Sequence, residues 1–132
     1  MEPVGPAAIP AGLPSDVLIV EDDAIIALDF EDTLARFGIA SVRIASNVMR
    51  ALAMIAERVP DFALLDIGLS REKSFAVAER LVALKVRFAF VTGYSADRFF
   101  PSEYSDRPKL SKPFSRDELL ALLSDWQNGG SR

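Results

Sequence analysis

At 132 residues, with 50% hydrophobic and 26% charged side chains, the chain has the size and composition of one compact soluble domain, with no room expected for a separate effector. It contains neither Cys nor His, which excludes disulfides, Cys/His zinc sites, Cys nucleophiles, Ser-His-Asp triads and a phosphohistidine of its own. With 15 basic against 19 acidic residues and a net charge of -4, there is no positive surplus for a nucleic-acid backbone or an anionic bilayer.

Four of the eight prolines (Pro3, Pro6, Pro10 and Pro14) fall with Gly5 and Gly12 in the first fourteen residues, a pattern that permits neither helix nor central strand. Residues 1–14 are therefore expected to be a flexible leader, 15–127 the folded domain and 128–132 a polar tail. The leader lacks a basic n-region and an uninterrupted apolar core, and no apolar run approaches the roughly 20 residues of a membrane span, so a cytoplasmic location is expected.

From Ser15 onward, short apolar runs alternate five times with helix-period segments, the pattern of a parallel sheet covered on both faces. The first strand, Val17 to Val20, is apolar throughout and runs into Glu21, Asp22 and Asp23. A helix over about Ala24 to Phe37 follows, with Ile25, Leu28, Leu34 and Phe37 on its apolar stripe and Gly38 as its stop. A short strand around Val42 to Ala45 leads to Ser46 or Asn47 as the cap of a second helix (Val48, Ala51, Leu52, Ile55) that must end before Pro60. Phe62 to Leu65 is the third strand and Asp66 terminates it. A third helix over about Ser74 to Leu84 carries Phe75, Val77, Ala78, Leu81 and Val82. The fourth strand, Phe88 to Val91, ends at Thr92 and Gly93. Tyr94 to Arg107 is aromatic and polar with only a weak helical pattern. Lys109 to Ser111 is a short edge strand, and Lys112-Pro113 turns into a last helix whose Ser115 and Glu118 fit a capping box, with Leu119, Leu120, Leu122, Leu123 and Trp126 toward the sheet.

In open parallel sheets the site lies at the carboxyl ends of the strands, where strand order reverses. That rim receives Glu21 and Asp22 from strand one, Asp66 from strand three, Thr92 from strand four and Lys112 after strand five. Singly, each has an ordinary explanation: acidic residues suit a helix start, Asp66 suits a turn, and Thr92-Gly93 is a common strand exit. Their joint placement is what those explanations do not predict. Carboxylates brought together repel and raise the pKa of at least one of them unless a cation joins them. Mg²⁺, which prefers oxygen ligands and keeps room for waters and a phosphate, suits Asp22, Asp66 and a backbone carbonyl near Gly68. Phosphoryl transfer then follows as the chemistry, with Asp66 as carboxylate nucleophile and Lys112 and the Thr92 hydroxyl as partners of the phosphoryl oxygens.

These residues resemble the receiver domain of bacterial two-component response regulators over about Ser15 to Trp126. VLIVEDD, LLDIGL, VTGY and KLSKPF carry the likeness. The resemblance implies a flavodoxin-like α/β fold, (βα)5, with strand order 2-1-3-4-5, phosphorylation of Asp66 by a sensor histidine kinase, and signalling through protein contacts or service as a phosphate relay or sink with a histidine phosphotransferase or another regulator. It implies a Mg²⁺ site of Asp22, Asp66 and the Gly68 carbonyl supported by Glu21, phosphoryl contacts from Thr92 and Lys112, and a cis Lys112-Pro113 bond. A narrower likeness joins Arg87-Phe88-Ala89-Phe90-Val91-Thr92-Gly93-Tyr94 to the P-F-x-F-A-T-G-Y motif of the "FAT GUY" single-domain regulators, associated with alphaproteobacterial phosphorelays and general stress signalling, with Arg87 and Val91 as departures.

Two further departures bear on mechanism. Lys109 stands where ordinary receivers carry the strand-five aromatic that swings inward with the Thr92 position, which leaves Tyr94 as a switch candidate. Ser70-Arg71-Glu72 replaces the proline and glycine that commonly follow the phosphoacceptor, so the third helix and the loop before it are expected to be unusual. Output is expected on the face formed by Tyr94 to Arg107, strand five and the last helix, with Phe99, Phe100 and Tyr104 either as anchors or packed on the sheet. The competing functions are a pseudo-receiver that docks without being phosphorylated and a haloacid-dehalogenase-type phosphatase, which would need an acid where Gly68 stands. No G-x-x-x-x-G-K-S/T or G-x-G-x-x-G string supports nucleotide binding.

Overall fold

The computed structural model describes residues 12–69, 73–93, 102–104 and 106–126. Five strands, β1 (Asp16–Val20), β2 (Ser41–Ala45), β3 (Phe62–Asp66), β4 (Arg87–Thr92) and β5 (Lys109–Ser111), pair in parallel in the order β2-β1-β3-β4-β5. Helices α1 (Ala24–Arg36), α2 (Val48–Glu57), α3 (Phe75–Ala83) and α4 (Arg116–Ser124) cover both faces. This is the flavodoxin-like order expected from the sequence.

Period-two alternation along the strands splits the interior into two cores. Leu18, Val20, Ala63, Leu65, Phe88 and Phe90 point to one face and pack with Ala51 and Ile55 of α2 and Val77, Ala78 and Leu81 of α3. Val17, Ile19, Phe62, Leu64, Ala89 and Val91 point to the other and meet Phe30 and Leu34 of α1 and Leu119 and Leu123 of α4. Both faces being dry explains why β3 is buried at every position and reads as an unbroken apolar run.

Local signals set the helix ends. Asp23 Oδ1 accepts the Ile25 and Ile26 amides at 2.9 and 3.2 Å and caps α1. Gly38, with φ of 92°, closes α1 in a Schellman motif: Ile39 N–H donates to Leu34 O at 3.2 Å and Gly38 N–H to Ala35 O at 2.9 Å. Asn47 caps α2 through the Arg50 amide at 2.8 Å. Ser115 and Glu118 form the capping box at α4, the two bonds measuring 3.0 and 2.7 Å. The Lys112-Pro113 bond is cis.

The α1 stripe differs from the sequence expectation. Ala27, Phe30 and Leu34 are its buried residues, whereas Ile25 is 79% and Leu28 58% exposed. Val82 is likewise exposed on α3, and Leu120 and Leu122 are half-buried on α4. α3 is an ordinary nine-residue helix. The loop before it, of which 70–72 lie outside the described residues, is closed by an antiparallel bridge between Gly68 and Lys73. At the start of the domain, Pro14 is buried and Leu13 packs beside α4, so packed structure begins before Ser15. Residues 1–11, the stretch 94–101 with Tyr94, Phe99 and Phe100, and residues 127–132 lie outside the described residues. Among the described residues no helix is long and apolar enough to cross a membrane.

Candidate functional site

Strand order reverses between β1 and β3, so the crevice over their carboxyl ends is where a ligand is expected. Glu21 continues β1, its amide donating to Ala45 O at 3.0 Å, and its side chain is buried at 2% exposure. Asp22 follows it, and Asp66 is the last residue of β3. Oxygens of these three carboxylates lie within 4.8 Å of one another. Asp23, adjacent in sequence, is turned away to cap α1, so the acidic run divides into two site residues and one cap.

The cation comes from the far side of the sheet. Lys112 leaves β5 with its amide bonded to Thr92 O at 2.8 Å, and its Nζ reaches Asp66 Oδ2 at 3.4 Å and Glu21 Oε1 at 3.6 Å. Thr92, the last residue of β4, is buried at the same edge. Gly68 N–H donates to Asp66 Oδ1 at 3.1 Å, which folds the backbone after β3 against the carboxylate. A side chain at Gly68 would meet nothing within 4 Å, so the backbone beside Asp66 could carry one without a clash.

Burial pushes the Glu21 carboxyl up to about 7; the Asp23 N–H opposes this, Asp66 adds to it, and Lys112 opposes it. Glu21 Oε2 accepts the Asp23 amide at 3.1 Å, while Oε1 is buried with no hydrogen-bond partner. A buried carboxylate oxygen without a donor, in a cluster that repels itself, is an arrangement a cation completes. Carboxylate oxygens within 4.8 Å of one another are near enough to share one ion, and an all-oxygen set suits hard Mg²⁺. The residues therefore fit the group.

Lys109 stands exposed at the start of β5, its Nζ donating to Arg107 O at 3.3 Å. Tyr104 is buried, stacked on Phe75 with centroids 5.8 Å apart and tilted against Phe90 at 5.5 Å. It belongs to the core and is no surface anchor. Ile25 and Leu28, expected on the buried stripe, are surface residues. Their signal was present in the sequence, because Ile26, Ala27, Phe30, Leu34 and Phe37 form an alternative stripe of equal period.

The response regulator receiver domain family matches residues 17–124. The chain belongs to that family. Receiver domains are the signalling modules of two-component systems, and the family is one of signalling proteins rather than of conventional enzymes. The solution structure of SdrG from Sphingomonas melonis Fr1 superposes with a TM-score of 0.76 at 37% identity, covering 89% of this chain and 99% of that one. PhyR, the phyllosphere-induced regulator of Methylorubrum extorquens, is 30% identical over 121 residues, 86% of this chain and 44% of its own length. LytT, a sensory transduction protein of Bacillus subtilis, is 27% identical over 114 residues, 84% of this chain and 47% of its own. The receiver spans about half the length of the curated relatives it matches.

Proposed function

We propose that this receiver accepts a phosphoryl group on Asp66 from a sensor histidine kinase or a histidine phosphotransferase and transmits the change through protein contacts, or holds or passes the group within a relay. The observation that carries the reading is the approach of Lys112 Nζ to Asp66 and Glu21 across the sheet edge. In the transfer, an Asp66 Oδ forms a bond to phosphorus as the donor's P–N bond breaks, and the leaving imidazole keeps the electron pair of that bond. The transition state spreads charge over the equatorial oxygens, so catalysis needs positioned positive charge and hydrogen-bond donors more than an acid or base. Lys112 meets one phosphoryl oxygen with its ammonium, and the Thr92 hydroxyl meets another.

Asp22, Asp66 and the Gly68 carbonyl would hold Mg²⁺, with Glu21 completing or supporting the set. When bound, the ion supplies neutralisation of the carboxylates and of the transferred phosphoryl oxygens. Ile25 and Leu28 are exposed on the first turns of α1, directly after the acidic run, where a donor protein could seat. They supply an apolar seat for it. The pathway is read as stress signalling in the cytoplasm. PhyR is described as a stress response regulator, and the Arg87–Tyr94 segment is similar to the FAT GUY motif. Tyr94 and Lys109 are the residues proposed to replace the usual aromatic switch.

Intact-mass spectrometry with a small-molecule phosphodonor, with and without Mg²⁺, tests the reading. Gain of one phosphoryl group that requires both Mg²⁺ and Asp66, and is lost in Asp66→Asn, is the expected result. No gain on folded protein with any competent donor makes the domain a pseudo-receiver.

A further inference from the structure

Lys112 reaches the acids from a distance. Leu110 lies level with Asp66 through Val91 of β4, and β5 stands two strand spacings, about 9.6 Å, from β3. Lys112 comes two residues beyond Leu110, so its side chain runs diagonally back over β4 to bring Nζ to 3.4 Å from Asp66 and 3.6 Å from Glu21. Both distances exceed the roughly 2.7–2.9 Å of a well-formed ammonium–carboxylate bond. A lysine stem that crosses a whole strand has little length to spare, so the position of its backbone decides whether the ammonium meets the crevice.

The sheet holds that backbone on one side only. The Lys112 amide donates to Thr92 O at 2.8 Å, and β5, an edge strand of three residues, ends just before it. The next fixed points are supplied by α1. Phe30 and Phe37, seven residues apart, share a face of that helix and are both buried. The Phe114 ring stacks on Phe30 with centroids 5.2 Å apart and planes at 25°, and Arg116 Cζ lies 5.5 Å from the centre of the Phe37 ring. Ser115, between Phe114 and Arg116, caps α4. Phe114 is the latch nearest the lysine, with Pro113 alone between them. Its ring is only half-buried, whereas Leu119 and Leu123 on the helix that follows are fully buried and carry the packing of α4. Because α1 also begins at the acidic run, where Asp23 caps it, a single helix sets the distance between the acids and the lysine.

We propose that Phe114 is a positioning residue for phosphoryl transfer: its stack on Phe30 holds the Lys112 backbone where the ammonium meets the phosphoryl oxygens at Asp66. The inference rests on the phosphorylation proposed above and adds a residue that never touches the phosphoryl group. Loss of the ring frees the turn, and a displacement of about 1 Å at a reacting centre is enough to remove much of the rate.

Time-resolved intact-mass spectrometry of the full chain with acetyl phosphate and saturating Mg²⁺ tests this. Phe114→Ala is expected to slow phosphorylation at least about fivefold, and Phe114→Tyr, which keeps the ring, to stay within about twofold of the parent. Calorimetric Mg²⁺ affinity is expected to be unchanged in both, since the acids are not displaced. The deciding comparison is made in Lys112→Met, where the ammonium is gone and its placement no longer matters: adding Phe114→Ala is expected to cause no further slowing. Slowing that multiplies in the double variant, weakened Mg²⁺ binding in Phe114→Ala, or a Tyr variant as slow as the Ala variant overturns the inference. If thermal melts show Phe114→Ala unfolded at the assay temperature, Phe114→Leu takes its place in the same double comparison and the same outcomes decide. A parent that gains no phosphoryl group overturns the phosphorylation reading itself, whereas a phosphorylated parent matched in rate by Phe114→Ala overturns only the role of Phe114.

Discussion

Glu21 shows how a functional arrangement is held at a cost to the fold. Its Oε1 is buried without a donor and its neighbour Asp66 carries like charge, so the ion-free crevice is a destabilised part of the domain. In Glu21→Gln, the amide oxygen retains the Asp23 N–H bond and the amide nitrogen turns toward Asp66, a member of the same 4.8 Å cluster. Thermal melts without Mg²⁺ are expected to show stabilisation of about 1 kcal/mol, and calorimetric titration to show weaker Mg²⁺ binding. Equal or lower stability would mean that Lys112 already satisfies this carboxylate. Lys112→Met is expected to leave the sheet intact and slow phosphorylation by small donors at least tenfold, measured by mass spectrometry over time, because the charge that meets the phosphoryl oxygens is gone. Glu21, Asp22, Asp66 and Thr92 were legible in the sequence because each follows an all-apolar run, and parallel strands deliver their ends to one rim, whereas Lys112 follows the polar Lys109-Leu110-Ser111. What the sequence did not assign was the cap of α1, since all three acids suit a helix start and only the backbone turn selects Asp23.

The helices show the same contrast between signals that are local and signals that are shared. Both α1 and α3 end in Schellman motifs: Val86 N–H donates to Leu81 O at 2.9 Å and Lys85 N–H to Val82 O at 3.0 Å, repeating the pattern at Gly38. The left-handed position is glycine in α1 but Lys85, with φ of 62°, in α3. A β-carbon there is disfavoured, so Lys85→Gly is expected to stabilise the domain by about 0.5–1 kcal/mol in denaturant titrations, and Gly38→Ala to destabilise it by about 1 kcal/mol. Gly38 announced the end of α1 in the sequence; nothing comparable marked the end of α3. The α1 stripe was ambiguous for a different reason, because Ile25 and Leu28 satisfy a helical period as well as Ile26, Ala27 and Phe30 do, and only contact with the sheet decides. Their exposure separates folding from recognition. The double change Ile25→Ser with Leu28→Ser is expected to leave stability and small-donor phosphorylation unchanged while reducing the rate of transfer from a phosphorylated kinase. Loss of small-donor phosphorylation as well would mean that the two residues support the crevice itself.

Across the whole molecule, opposite edges of the sheet carry opposite electrostatic arrangements. At the carboxyl edge two of three clustered acids, Glu21 and Asp66, share one lysine; at the amino edge one acid, Asp16, sits between two arginines. Asp16, at the start of β1, accepts Arg43 Nη2 at 2.9 Å, Arg58 Nε at 3.1 Å and Ser41 Oγ at 3.1 Å. Arg43 in turn donates to Met54 O and Arg58 O, so this one carboxylate fastens β1 to β2 and to the end of α2. Burial alone would raise the Asp16 pKa, but the bonds from Arg58 and Arg43, the Arg43 charge and the Ser41 hydroxyl outweigh it and hold the group below its ordinary 3.8. A carboxylate whose folded pKa is depressed binds protons more readily in the unfolded chain, so its contribution is complete above the unfolded value. It is lost as pH falls through the folded one. Denaturant titrations from about pH 7 down to about pH 2 should therefore show Asp16→Asn less stable than the parent at neutral pH, by about 1–2 kcal/mol given that Arg58 is largely exposed, with the gap closing below the ordinary carboxylate range. A gap that persisted at the acid end would trace the effect to lost packing or hydrogen bonding at the β1–β2 junction, because protonation had already removed the charge from the parent.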